Sequence, residues 1–324
     1  MKNLLMICLI GFPLCLQSQE FNKGGRTAFQ FLKIGIGARQ IALGEASIAY
    51  VRDVNSVFWD PAGISGVQSA EVSVGYTQLF ADLRYYSGAA AFRIPEIGVF
   101  AVSYASLGYG KIPEALVSNS SGSSDTRTGQ TFTGSDLLVG FSYSREFTDR
   151  LSIGGTVKLV REQLFNHSVS LTAFDVGTYY NTGFNDITIA MSAQNFAGSA
   201  KWLEQSDRDE GYDLPLIFRI GTSASLLGGS DAFIDLGPDH ALTVTFDAVH
   251  TNDYAERFHA GTEYTFGGFV SLRGGYRFNY EEGNLSFGLG IRREISGLNF
   301  RLDYAFVDFK YLESPHRLTV LIGW

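Results

Sequence analysis

The chain is 324 residues long, with a formal net charge of −8, 18% charged residues, 14% aromatics and 37 glycines. Such a length exceeds an ordinary small domain but suits a β-barrel built as one unit. No basic stripe is present to neutralise phosphates, which excludes nucleic acid as a partner. Apolar residues at 45% are unexceptional, so the hydrophobicity is spread along the chain rather than concentrated.

The first twenty residues, MKNLLMICLIGFPLCLQSQE, carry one lysine, an apolar run from Leu4 to Leu16, and then small and polar residues. This is the pattern of a secretory signal peptide, too short for a membrane-spanning helix. It predicts a signal over residues 1–18, with cleavage near Ser18 and a mature start at Gln19 or Glu20. A lipid on Cys15 is the alternative, but Leu14 stands where lipoprotein signals require a small residue. Both cysteines, Cys8 and Cys15, fall in this segment. The expected mature chain is therefore exported without disulfides, thiol nucleophiles or Cys-bound zinc. No later stretch offers 18 uninterrupted apolar residues for a helical span, which leaves strands as the means of crossing a membrane.

Residues 19–68 follow no strand period. Short apolar runs alternate with Gly and other small residues, which predicts a compact element with one or two brief helical turns. From residue 69 onward the period is two. NLSFGLGIR sets Leu285, Phe287, Leu289 and Ile291 against Ser286, Gly288, Gly290 and Arg292. ALTVTFDA sets Leu242, Val244, Phe246 and Ala248 against Thr243, Thr245 and Asp247, and GLNFRLDYAF repeats the pattern. Side chains alternate faces along a strand, so each segment has one apolar and one polar side. Fourteen strands are predicted: 69–78, 86–94, 98–109, 135–147, 150–165, 170–181, 186–195, 215–226, 240–250, 256–266, 269–279, 284–295, 298–310 and 316–324.

Every second connection is a tight turn rich in Gly, Asp and Asn, apart from an insertion at 227–239. The other set includes the long loops 110–134 and 196–214. Short turns at one end and long loops at the other are features of transmembrane β-barrels. The chain closes on RLTVLIGW, an amphipathic strand with a final aromatic. Tyrosines near strand ends (Tyr76, Tyr104, Tyr143, Tyr179, Tyr180, Tyr264, Tyr276 and Tyr304) suggest interfacial girdles. A secreted β-sandwich or propeller would also alternate, but no blade-length repeat is visible. The expected fold is all-β: a fourteen-stranded antiparallel transmembrane barrel of the outer membrane over residues 69–324, with residues 19–68 as a lumenal plug.

A resemblance sharpens this. FLKIGIGARQIALGEASIAYVRDVNSVFWDPAGIS is similar to the N-terminal signature of the PorV/PorQ family, itself related to FadL-type outer-membrane barrels. The matching residues are Phe31, Leu32, Gly35, Gly37, Ala38, Arg39, Leu43, Gly44, Asp53, Trp59, Pro61, Ala62 and Gly63. The chain departs at Glu45, where the family usually has Gly, and at Asp60, where it usually has Asn and so loses the amide donors. AFDVGTYY, with Asp175, Gly177 and Tyr179, is similar to the family's Asp-x-Gly-x-Tyr strand. The resemblance implies a non-enzymatic protein at the outer membrane of Bacteroidetes-type bacteria. For PorV-like members it implies a role in type IX secretion, with secreted cargo, translocon and surface-attachment components as partners. For FadL-like relatives it implies uptake of small hydrophobic molecules through a lateral opening.

Little else points to chemistry. His167, His240, His250, His259 and His316 are scattered, with no metal-ligand spacing. The Gly-rich GIGARQIALG lacks both dinucleotide and P-loop contexts, and tight packing on the barrel wall is the expected role. NSSGSS, residues 119–124, reads as a polar loop. No catalytic triad, cofactor or metal is expected. Lys158, Asp175, Asp247, Arg273, Arg277, Arg301 and Asp303 lie on polar strand faces. They either line a solute path or pair with one another and with Arg39, Asp53 and Asp60. In VFWDPAGISG, Trp59 is expected as an apolar anchor and Asp60 as a turn or cap residue, with Pro61 stopping any helix and Gly63 and Gly66 permitting a tight path. Two readings follow. One is a docking protein that uses loops 79–85, 110–134 and 196–214 together with its apolar outer wall. The other is a transporter, which needs a greasy pocket and a break in the wall; inward Ser, Thr, Gly, Asp and Arg argue against the pocket, although Phe29, Phe31, Phe58 and Trp59 could supply it.

Overall fold

The computed structural model describes residues 24–115, 127–201, 211–237 and 239–324. The expected signal peptide at 1–18, its cleavage site, both cysteines and the 119–124 run lie outside the described residues. The strands, in chain order, are β1 (Ala70–Gln78), β2 (Arg84–Ile94), β3 (Gly98–Gly108), β4 (Ile112–Ala115), β5 (Arg127–Phe132) and β6 (Gly134–Glu146). There follow β7 (Leu151–Leu164), β8 (His167–Asn181), β9 (Thr188–Phe196), β10 (Ile217–Gly228), β11 (Ile234–Asp235) and β12 (His240–Thr251). The last are β13 (Arg257–Phe266), β14 (Val270–Phe278), β15 (Leu285–Ile295), β16 (Leu298–Val307) and β17 (His316–Gly323).

Leaving aside β4, β5 and β11, fourteen strands pair antiparallel with their neighbours. The ring closes where β1 meets β17, with Val74 opposite Val320. Period-two patterning decides which face points out. Val72, Val74, Leu285, Phe287, Leu289, Leu318 and Trp324 are exposed on the outside, whereas Ser73, Thr77, Ser286 and Thr319 are buried inside. An outer belt this apolar is a lipid-facing wall, and a closed barrel leaves no unpaired strand edge in the bilayer. The chain is an outer-membrane, multi-pass β-barrel. Loops gather at one end and turns at the other, which by the usual asymmetry are the extracellular and periplasmic ends.

Several expectations need correction. The 110–134 region contains the β4–β5 hairpin, with Ile112 opposite Phe132; its polar residues show no alternation, so its strands read as loop. In the 227–239 insertion, β10 bulges between Ser225 and Leu227, and β11 folds back parallel to its end. β16 stops at Val307 rather than 310. Tyr179 does not join the outer girdle: it points into the lumen, 6% exposed, with the Arg52 guanidinium 4.3 Å from its ring centre.

The N-terminal segment runs through the lumen from the loop end to the turn end and then enters β1. It holds one short helix, α1 (Ala38–Ala42), and three 3-10 turns at Gln30–Lys33, Val54–Phe58 and Pro61–Gly66, more than the one or two turns expected. Pro61 opens the last of these turns instead of ending a helix, because its missing N–H costs nothing at a first position. Phe29, Phe31, Ile41, Leu43, Ile48 and Ile64 are fully buried. The exit of α1 lies directly on the wall: a Cβ at Gly275 would sit 2.0 Å from the Gly44 nitrogen, and one at Gly261 would sit 2.4 Å from the Leu43 oxygen.

Candidate functional site: the lumen and its N-terminal segment

At the turn end the segment is held by charge. Arg39 donates to both oxygens of Glu263, at 2.9 and 2.7 Å, and Tyr50 donates its hydroxyl to the same carboxylate at 2.7 Å. Arg273 bridges Glu263 to Asp303, lying 2.7 Å from the latter. Arg301 bonds Asp303 at 2.8 Å and Asp53 at 2.5 Å, and Asp53 lies 3.9 Å from Arg39. Three arginines and three carboxylates thus alternate around a closed ring. Taking charges out of water is costly, and only such complete pairing offsets it. Burial alone would raise the Asp53 carboxyl, but Arg301 and Arg39 hold it below its ordinary value. Asp53 also caps the following 3-10 turn through the Asn55 N–H at 2.9 Å.

Further along the lumen, Arg277 reaches Glu45 at 2.7 Å. Glu45 has φ 68, a left-handed conformation that favours glycine, so the Glu stands on a glycine-like backbone and uses its carboxylate to engage the wall. Asp247 accepts from the Ser47 and Ile48 N–H groups at 2.9 and 3.3 Å. Lys158 and Asp175 pair at 2.7 Å. The seven lumen-facing charges named from sequence therefore contact one another or the N-terminal segment, and do not form a ring around an open bore.

On β8, alternate inward positions Asp175, Gly177 and Tyr179 all face the segment. Gly177 leaves room for Asp60, whose carboxylate a Cβ would strike at 1.8 Å. Trp59 is 3% exposed and donates its indole N–H to the Ile36 carbonyl at 2.8 Å, which staples two parts of the segment together. The Arg219 guanidinium lies 5.0 Å from the Trp59 ring. Asp60 caps the last 3-10 turn through the Ala62 N–H at 2.8 Å, while its second oxygen is buried without a partner. Burial drives this carboxyl well above the ordinary aspartate value; the Ala62 N–H opposes the shift and nearby Asp247 adds to it. Ala62 accepts from the Ser144 hydroxyl at 3.1 Å, and a Cβ at Gly154 would meet the Pro61 backbone at 2.4 Å. Gly37, Ala38, Gly44 and Gly63 serve the same close packing, with the Ala38 N–H donating to Thr319 at 2.9 Å.

At the loop end apolar side chains fill much of the lumen. Phe29 and Phe31 sit among inward-facing Tyr85, Leu107, Leu138 and Val160. The inward face was expected to be polar throughout, but on β2, β3, β6 and β7 it carries these apolar residues near the loops, beside inward Asp136 and Glu162, the latter accepting from the Phe29 N–H at 2.8 Å. Thr27 and Lys33 both reach Asp253, at 2.9 and 2.6 Å, and the Ala28 N–H donates to the Asp213 carbonyl at 3.0 Å.

Between these ends a cavity of about 30 Å³ lies against Gly35, Phe58, Trp59, Lys158, Asp175 and Asn195. The wall beside it is irregular. The β8–β9 register shifts between Phe174 and Val176, Asn195 adopts φ 69, and its N–H donates to the Asp175 side chain at 2.7 Å instead of to a ladder carbonyl. Among the described residues, β8 pairs with β7 along its whole length but with β9 only from Phe174 onward.

Sequence reasoning missed Glu263, Arg219 and Arg317, although alternation marks them: Arg219, for example, lies between outward Phe218 and Ile220. His259 is a buried lumen residue 2.9 Å from the Tyr280 hydroxyl. Among the described residues no group of three His, Cys, Asp or Glu side chains is placed to hold a metal.

No family model matches the chain, and no curated protein matches it. Solved structures do. The toluene transporter TodX of Pseudomonas putida aligns with TM-score 0.60 at 10% identity, over 89% of this chain and 97% of its own. The toluene transporter TbuX of Ralstonia pickettii gives 0.57 at 13% identity over the same shares, and a FadL homologue from Pseudomonas aeruginosa gives 0.51 at 10%, over 87% and 96%. The chain shares the barrel fold of these outer-membrane proteins. At these identities the likeness concerns architecture alone.

Proposed function

We propose that the protein is an outer-membrane passage for small hydrophobic molecules, with residues 19–68 as a plug that closes it. The observation that carries this reading is the internal cavity beside Trp59, set against the irregular β8–β9 wall. A lateral route from lumen to bilayer needs that juxtaposition. The buried apolar cluster around Phe29 and Phe31 gives the loop end a lining of matching chemistry once the plug shifts. Likeness to barrels described as toluene transporters adds support by architecture. At about 30 Å³ the cavity has room for roughly one water, so the plug has to move for passage. The reading includes no enzymatic step and no cofactor, since the lumenal charges are engaged with one another and with the plug.

Docking of secreted cargo or translocon components is the second reading, favoured by the PorV/PorQ-like signature between Phe31 and Gly63. Deleting the gene separates the two. Transport predicts that toluene uptake falls while surface and secreted proteins keep their places. Unchanged uptake with displaced exported proteins would replace transport by docking.

A further inference from the structure

We propose that the turn end of the lumen binds a phosphate-type oxyanion at Arg292. The ring of Arg39, Glu263, Arg273, Asp303, Arg301 and Asp53 satisfies its own members. Glu263 accepts from Arg39, Arg273 and Tyr50, Asp303 from Arg273 and Arg301, and Asp53 from Arg301 and the Asn55 N–H. Each carboxylate oxygen of the ring already accepts at least one hydrogen bond. Arg292 is a further cation beside it. It stands directly opposite Arg301 in the β15–β16 register, on the same inward face. Like charges directly opposite on a sheet repel. Among the described residues Arg292 makes no ion pair within 4.0 Å; its side chain is exposed, and its nearby counter-charge is the Glu71 carboxylate, one oxygen of which accepts from the Val54 N–H at 2.8 Å.

The space at this position suits an anion. A cavity of about 230 Å³ is lined by Arg39, Arg273, Arg292 and Arg301 but by a single carboxylate, Glu263. It adjoins a second cavity of about 330 Å³ that shares Arg39, Arg292 and Arg301, adds the Asp53 and Glu71 carboxylates, and lies towards the chain's entry into β1. At roughly 30 Å³ per water, the first alone holds a phosphate with part of its hydration shell. Thr265 and Ser271 also line it and share one hydrogen bond of 2.8 Å, which leaves one hydroxyl hydrogen free to donate. A guanidinium presents paired N–H donors that match two phosphate oxygens. An oxyanion here relieves the repulsion between Arg292 and Arg301 without competing for the ring. The group could arrive as free phosphate or on a phospholipid headgroup, and the site recognises the chemistry common to both. The inference is independent of what crosses the barrel.

The test is the unfolding midpoint of the full barrel in micelles. One arm adds inorganic phosphate against chloride at equal ionic strength. The other adds phosphatidylglycerol to the micelles in phosphate-free buffer. At least one arm should raise the midpoint, and Arg292→Ala should weaken the apparent affinity at least tenfold, with Arg292→Lys intermediate. A response confined to phosphate assigns a solute, and one confined to the lipid assigns a headgroup. Should Arg292→Ala fail to fold, Ser271→Ala takes its place, with a several-fold weakening expected. No response in either arm, or a response the variants leave unchanged, overturns the site.

Discussion

At the turn end, Arg39 and Asp53 are locked into a ring of alternating charges with Glu263, Arg273, Asp303 and Arg301. At the loop end, Phe29 and Phe31 rest among Tyr85, Leu107, Leu138 and Val160, with Lys33–Asp253 as the ion pair. The two ends hold one segment by different balances of forces. Charge pairs dominate the first, whereas the second adds the Asp253 contacts and the Phe29 N–H on Glu162 to a mainly apolar packing. Charge-assisted bonds are directional and fail when one partner moves by an ångström or so. Apolar contact is non-directional and lets side chains slide while they stay buried. The turn end is therefore the fixed anchor, and residues 27–36 are the part able to shift aside while the remainder stays in place.

The largest effect should come from breaking the ring. Glu263→Ala leaves Arg39 and Arg273 buried without their shared partner and should cost about 3–5 kcal/mol. Proteolysis of the folded barrel should then cut within residues 50–67 before residues 27–36. The opposite order would remove the distinction between anchor and gate. Phe31→Ala probes the other end. It should cost about 3 kcal/mol by the usual penalty for truncating a buried aromatic, and it should raise uptake of a small hydrophobic probe while residues 50–67 stay protected. Unaltered uptake would count against residues 27–36 as the closing element.

Asp60→Asn sharpens the anchor. The buried Asp60 carboxyl titrates above its unfolded value, so its contribution to stability is present at acid pH and is lost as pH rises towards its folded value. The asparagine variant should accordingly be more stable than the parent at neutral pH, by about 1 kcal/mol, because a neutral amide replaces a buried carboxylate that has an unpartnered oxygen. That gain should shrink as pH falls, because the protonated parent is then neutral as well. Asp53, held below its ordinary value, works in the opposite sense: its stabilisation is present above the unfolded value and lost as pH falls through the folded one. A flat difference between parent and Asp60→Asn across pH would rule out this account of Asp60. Smallest of all, Ser286→Ala removes one 3.3 Å bond to the Ala42 carbonyl and should lower the unfolding midpoint only slightly, for about 0.5–1 kcal/mol.

The wall was legible from sequence wherever one face is apolar and the other polar, as in Leu242–Asp247 on β12 and Leu285–Arg292 on β15. It was less legible on β2, where Tyr85 points inward and Tyr86 outward and both are aromatic, so alternation carries no sign. The same ambiguity concealed the apolar loop end of the lumen and put Tyr179 in the wrong girdle. Lumenal charges such as Arg301 and Asp303 could be placed on the inner face, but their partners could not. Arg39 and Glu263 are 224 positions apart, and only closure of the ring at β1 and β17 brings them together. The plug motif from Gly37 to Gly63 was visible as a unit. Its contacts depend on three-dimensional register: Gly44 on Gly275, Asp60 on Gly177, and Pro61 on Gly154.

The central claim is that residues 27–36 move while the ring holds. Thr27 and Asp213 face each other in an isolated parallel bridge at the loop end, a spacing that suits a disulfide. Because Cys8 and Cys15 are the only cysteines in the chain, a Thr27→Cys and Asp213→Cys pair can be oxidised and reduced selectively in the barrel. Uptake of a small hydrophobic probe into vesicles should stop when the bridge is closed and return when it is reduced. Uptake that continues at the same rate with the bridge fully formed would contradict the account.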